Sequence, residues 1–216
     1  DFVRVPFADH MLLACPATVE LATIAGIADQ ASDGFSMIAP HLAAKPGARV
    51  LIVGGAAQGI GLFVIQSALA LGASEVVFLD DNPTRMSMAK TLGAKVIERK
   101  TFDGSAPGSP YDITIDANIS AEGLALAIRS TQAGGICQRA YGDLVPLTQV
   151  PLRDMYSIGL SLHIGRVHAR HVMPTVIKHI QCGDLHPEQV ITREVSFTDA
   201  AEAILDPTIK VLFVKD

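Results

Sequence analysis

The chain has 216 residues, 49% hydrophobic and 18% charged, with a formal net charge of −5. That composition supplies a core buried on both faces and excludes disorder of the whole chain. No basic run is present to track a phosphate backbone, which argues against nucleic acid as a partner. The apolar stretches are broken well before the roughly 20 residues that a membrane span needs, so no membrane role is expected. Cys15, Cys137 and Cys182 lie far apart with no C-x-x-C pair, which suits a reducing, cytoplasmic setting better than a disulfide framework or a thiolate metal knuckle. Asp1 to Pro6 lacks the basic start and apolar stretch of a signal peptide, and with no initiator methionine the sequence reads as a piece of something longer.

Along the chain, short apolar runs alternate with segments of helical period, the pattern of β-α units on a parallel sheet. Phe2 to Pro6 is strand-like but stands outside that alternation. A helix is expected from Asp29 to Leu42, with Pro46-Gly47 as a boundary. Arg49 to Val53 is an unbroken apolar strand, followed by a glycine-rich turn from Gly54 to Gly61 and a helix from Ile60 to Leu71. Glu75 to Leu79 is a second strand that ends at Asp80, and a helix with proline in its first turn runs from Pro83 to Leu92. Ala94 to Ile97 is a third strand, Thr101 to Pro110 a surface loop, and Asp112 to Asp116 a fourth strand. A helix over Ala121 to Thr131 is followed by a Gly134-Gly135 turn into a fifth strand, Ile136 to Ala140. A sixth strand over Ile158 to Ile164 and a helix from His168 to Cys182, capped at Gly183, complete the series. Ala200 to Leu205 reads as a short helix and Lys210 to Lys215 as a last strand. The fold expected is α/β: a doubly wound, parallel, six-stranded Rossmann sheet with helices on both faces.

The chemistry is concentrated in Gly54-Gly55-Ala56-Ala57-Gln58-Gly59-Ile60-Gly61, set between a strand and a helix. In that context glycines allow a tight turn, close approach of a pyrophosphate and close helix–strand packing, while the helix directs its N–H groups and positive end at the anion. The spacing is G-G-x-x-x-G-x-G rather than G-x-G-x-x-G. Asp80, at the end of the second strand, is placed to accept hydrogen bonds from the adenine-ribose hydroxyls of NAD. It would repel the 2′-phosphate of NADP by about 4 kcal/mol per unit charge at 4 Å and an effective dielectric near 20. Arg85 softens that preference by offering a partner to a phosphate, and the bland reading of Asp80 is a solvated strand-end aspartate beside Asp81.

These residues resemble the zinc-type medium-chain alcohol dehydrogenases. Arg49 to Gly72, Glu75 to Arg85, Leu92-Gly93-Ala94, Ala133-Gly134-Gly135 and Pro207 to Val214 fall in that family's order and spacing, and Gln58 to Leu62 is similar to the subgroup with a longer glycine loop. The resemblance implies a remnant of a catalytic, β-rich domain over residues 1–28, an NAD-binding Rossmann domain with its linking helix over 29–185, and a return to the catalytic domain over 186–216. The family's first zinc-ligating cysteine and histidine would lie upstream of residue 1. Asp29-Gln30-Ala31-Ser32-Asp33-Gly34-Phe35 is similar to the stretch D-x-x-x-T-G-F, in which the aspartate takes the third zinc-ligand position. Asp33 stands where threonine is usual, and the alternative for Asp29 is a plain helix cap. The resemblance also places Arg85 at the adenine ribose, Lys210 near the pyrophosphate, Asn118 on the adenosine side, and Ala140 and His163 near the nicotinamide. It further implies a homodimer through the sixth strand, whose stretch from Ile158 to Leu162 is uncharged enough for an unprotected edge.

The function expected is hydride transfer between an alcohol or polyol, or its carbonyl product, and NAD in a zinc-dependent enzyme of which this chain alone is inactive. A zinc-independent quinone or enoyl reductase that prefers NADPH, and a non-catalytic NAD(H)-binding module, are the alternatives. His168 and His171 read as surface histidines, Cys137 as a buried small hydrophobe, and Asp112 and Asp116 as too far apart to share a proton.

Overall fold

The computed structural model describes residues 2–142, 146–206 and 208–215. It opens with two single-turn helices, α1 (Ala8–Met11) and α2 (Leu21–Ile24), and a long helix, α3 (Gln30–Ala44). The β-α series follows as β1 (Arg49–Val53), α4 (Gln58–Ala70), β2 (Glu75–Asp80), α5 (Pro83–Thr91), β3 (Lys95–Glu98), β4 (Tyr111–Asp116), α6 (Ala121–Arg129), β5 (Thr131–Arg139), α7 (Leu152–Ile158), β6 (Ser161–Ile164) and α8 (Ala169–Cys182). After a 3-10 turn the chain ends with β7 (Arg193–Ser196), α9 (Ala200–Ala203) and β8 (Val211–Val214).

Six strands form one parallel sheet in the order β3-β2-β1-β4-β5-β6. This is the doubly wound sheet expected from the sequence. Successive side chains on a strand face opposite sides, so β1 divides its apolar residues between two cores. Val50 and Ile52 pack with α3, α4 and α8, whereas Leu51 and Val53 pack with Leu124, Ala127 and Ile128 of α6. The order reverses between β1 and β4, and the carboxyl ends of these two strands leave the crevice in which ligands of open α/β sheets bind.

Several boundaries differ from the expectation. Phe2 to Pro6 is not a strand, because no described segment pairs with it and an isolated extended stretch has no ladder to satisfy its amides. α4 begins at Gln58, which shortens the turn to Gly54 to Ala57. β5 begins at Thr131, and the Gly134-Gly135 pair lies within it at a register shift opposite Tyr111 and Ile113, with Gly134 at φ +68°. The sixth strand starts only at Ser161, since Leu152 to Ile158 forms a helix that Gly159 ends in the left-handed conformation. β8 matches the last strand expected, and its parallel partner β7 was not anticipated. Pro207, part of the terminal family stretch, lies outside the described residues.

Candidate functional site

A cleft of about 900 Å³ opens at the switch point, lined by Gln58, Gly59 and Ile60 of α4, Asp29, Gln30 and Asp33 at the start of α3, and Ala140 and Gly165 beyond β5 and β6. Ala57, the residue before α4, gives the helix no side-chain cap. The first-turn amides of a helix have no partner within it, so those of α4 carry their positive end to the cleft wall.

The turn that leads into α4 leaves no room for side chains. A Cβ on Gly54 would lie 2.1 Å from Asp80 Oδ2, and one on Gly55 would lie 2.3 Å from Asn118 Nδ2 and 2.7 Å from Asn118 Cα. Asn118 Nδ2 donates to the Gly54 carbonyl at 2.8 Å, and the Ala57 amide donates to the Ala117 carbonyl at 3.1 Å, so the loop after β4 braces the glycine turn. Gly61 sits over Phe78, Ala117 and Ile52 at ordinary contact distance and seats α4 on the sheet.

Asp80 is fully buried. Its Oδ1 accepts from the Asp81 amide at 2.7 Å, the Asn82 amide at 2.9 Å and Arg85 Nη2 at 2.7 Å, and its Oδ2 accepts from Arg85 Nε at 2.8 Å. This bidentate pair replaces the solvated aspartate of the bland reading. The residue exposed to solvent at this strand end is Asp81, whose side chain is 55% exposed.

Of the other residues singled out in the sequence, Asp29 lies on the cleft wall beside Asp33. Burial and then the Asp29 charge push the Asp33 carboxyl up to about 6. Lys210 Nζ donates to Gln30 Oε1 at 3.1 Å, and that oxygen occupies the space over Gly59 where a Cβ would be 2.5 Å away. Burial lowers the Lys210 ammonium pKa, and the Asp29 carboxylate works in the opposite direction. His163 does not line the main cleft. It lines a neighbouring cavity of about 350 Å³ and packs edge-on against His41, with ring centroids 5.1 Å apart. His168 and His171 are exposed, as expected.

Three features were not seen in the sequence. Ile119, on the cleft wall, adopts φ +67°, a conformation costly for a β-branched residue and one that clusters at functional sites. Arg139 is buried against Asp116 at 2.6 Å, although an arginine in an apolar strand was the signal available. Arg99, at the end of β3, donates to the Gly54 carbonyl at 2.9 Å and to Asp81.

The residues present suit a dinucleotide better than a metal. The glycine turn has the closeness that a backbone-bound phosphate requires, and the uncapped helix faces the cleft. Among the described residues, no three His, Cys, Asp or Glu side chains form a group able to hold a metal ion, and Asp29 alone does not make one. No described helix is long and apolar enough to cross a membrane.

No protein-family model matches the chain. In sequence it is 27% identical over 168 residues to sorbitol dehydrogenase of Arabidopsis thaliana, across 71% of this chain and 44% of that protein. It is 25% identical over 162 residues to L-idonate 5-dehydrogenase (NAD(P)(+)) of Escherichia coli, across 73% and 46%. The chain thus spans about half the length of the curated relatives it matches. In fold it is similar to an alcohol dehydrogenase of Thermus sp. ATN1, with a TM-score of 0.87 and 24% identity over 98% of this chain and 64% of that one. The resemblance carried by the motifs therefore holds in sequence and in fold: the chain is similar to the zinc-type alcohol dehydrogenases.

Proposed function

We propose that this chain is the NAD(H)-binding portion of a zinc-type dehydrogenase that moves hydride between an alcohol or polyol, or its carbonyl product, and the nicotinamide. The observation that carries the reading is the uncapped start of α4 opening on a switch-point cleft behind a turn with no room for a Cβ. In this reading the amides of Gln58, Gly59 and Ile60 hold the pyrophosphate and Lys210 adds a positive charge. Asn118 fixes the glycine turn, Asp80 and Arg85 close the adenosine end, and Ala140 flanks the nicotinamide, with His163 behind it. The cofactor supplies the hydride chemistry; the chain's own residues bind it, orient it and exclude water from one of its faces.

The names of the curated relatives, sorbitol and L-idonate dehydrogenase, support a polyol or alcohol substrate. A zinc ion would take Asp29 as one ligand and the rest from residues outside this chain, so the 216 residues alone are expected to be inactive with zinc added. The domain division at residues 29 and 185, a cytoplasmic location and a homodimer through β6 belong to the same reading.

Calorimetric titration of the purified chain with NADH and NADPH tests it. Saturable binding with NADH the tighter ligand is expected. No binding of either dinucleotide overturns the reading, as would turnover of an alcohol by the chain alone.

A further inference from the structure

Gln30 opens α3 on the cleft wall, and its side-chain amide meets a residue from the far end of the chain. Lys210 Nζ donates to Gln30 Oε1 at 3.1 Å. The Lys210 backbone is itself fixed: the Thr192 amide donates to its carbonyl at 2.8 Å, and its own amide donates to Thr192 Oγ1 at 3.0 Å. The lysine stem passes Gly26, where a Cβ would lie 3.9 Å from Lys210 Cε. An ammonium has three N–H donors and no acceptor, so only the oxygen end of the Gln30 amide can face it. The same amide lies over Gly59, in the first turn of α4. A Cβ there would be 2.5 Å from Oε1, 3.3 Å from Cδ and 3.7 Å from Nε2, so the missing side chain is what admits Gln30 to the wall of the cradle. Nε2 donates to no described residue. Among those residues the one buried side-chain polar atom without a partner is Glu188 Oε2, so Nε2 of the half-buried Gln30 is open to solvent.

We infer that Gln30 is a phosphate-binding residue of the cleft: Lys210 holds its amide by the oxygen, and Nε2 is the donor it offers to the pyrophosphate, beside the amides of α4. The inference rests on the dinucleotide reading above. A cation at the oxygen end of an amide polarises the N–H groups at the other end, which strengthens them as donors. A side chain already held by a partner also loses less conformational freedom when a ligand engages it. Lys210 therefore acts twice, as a charge near the phosphates and as the group that sets which end of Gln30 faces them.

The test is calorimetric titration of the 216-residue chain and its variants with NADH and with ADP, which carries the same pair of phosphates without the nicotinamide half. Gln30→Met removes the donor and is expected to weaken both ligands about threefold to tenfold. Gln30→Glu keeps an oxygen for Lys210 but replaces the donor with a second, charged acceptor, and is expected to weaken both by more than about tenfold. If Gln30 served only to hold Lys210, glutamate would be the milder of the two changes. Urea unfolding measured in parallel shows that each variant is folded. Gln30→Glu binding NADH as tightly as Gln30→Met does, or Gln30→Met binding it as tightly as the parent, overturns the inference alone. A loss confined to NADH, with ADP unaffected, overturns it as well. Failure of the parent chain to bind NADH overturns the cofactor reading and takes this inference with it.

Discussion

Arg139 Nη1 donates to Asp116 Oδ2 at 2.6 Å across the ends of β5 and β4, with the acid side chain fully buried and the base 2% exposed. Arg139 also donates from Nε to the Tyr141 carbonyl at 2.9 Å, and Asp116 Oδ1 accepts from the Asn118 amide at 3.0 Å. The pair thus ties the loops after both strands, which carry Ile119, Ala140 and Tyr141 to the cleft wall. Arg139→Met leaves a buried carboxylate without its cation and is expected to cost about 3–5 kcal/mol in urea unfolding followed by circular dichroism. Arg193→Met, which breaks the exposed pair with Asp206, is expected to cost less than about 1 kcal/mol. Equal losses would show that the buried pair has no special weight.

Gly55→Ala places a Cβ 2.7 Å from the Asn118 Cα, a backbone atom that cannot rotate away. A stability loss of about 1–3 kcal/mol is expected, with NADH affinity falling tenfold or more because the turn moves off its phosphate-binding geometry. Gly142→Ala meets nothing within 4 Å and is expected to change stability by less than about 0.5 kcal/mol. NADH binding unaffected by Gly55→Ala would remove the glycine turn from the site.

Asp33 supplies a pH dependence. Its carboxyl is raised from 3.8 to about 6 by burial first and Asp29 second. The folded state therefore binds the proton more tightly than the unfolded chain does. That contribution is fully present below about pH 4 and is lost as pH rises through about 6. Asp33→Asn is expected to be the more stable form at pH 7 by roughly 1 kcal/mol, a figure reduced for the partial exposure of the group, and to lose that advantage by pH 4. Unfolding midpoints of the two proteins across this range decide it; parallel curves would contradict the assignment.

The three cysteines should separate by reactivity. Cys15 and Cys182 are exposed, whereas Cys137 is buried and burial pushes its thiol up to about 12. A thiol-specific disulfide reagent at pH 8 is expected to label Cys15 and Cys182 in the native chain and Cys137 only on unfolding. Rapid labelling of Cys137 under native conditions would place β5 elsewhere than in the core.

β6 is the last strand of the sheet, and Ile164 on it is 58% exposed, with Tyr156 of α7 at 88%. An uncovered edge of this kind pairs readily with a second copy. Light scattering at about 100 µM is expected to return twice the chain mass, and Ile164→Lys should return it to the monomer. A monomer at every concentration would dispose of the dimer.

The sheet was legible from the sequence because each buried strand is a short apolar run and each crossover a segment of helical period, both local properties of the chain. The glycine turn was legible for the same reason. α7 was missed because it is short and merges with the apolar run of β6, and Gly159, which ends it, reads equally as a loop residue. Phe2 to Pro6 reads as a strand in sequence but is not one in the fold, because an extended pattern says nothing about whether a partner strand lies beside it.

The sequence alone determined that a strand, a close glycine turn and a helix would stand together, since these are neighbours in the chain and their geometry follows from backbone conformation and apolar period. Only the tertiary structure decided which charges at the end of β2 stay at the surface. Asp80 and Asp81 are adjacent and identical in sequence, yet Arg85 and two amides bury the first while Arg99, brought over by the pairing of β3 with β2, leaves the second at the surface. Burial and partners separated by a strand crossover set whether a carboxylate is open to solvent, and neither is a property of the residue type.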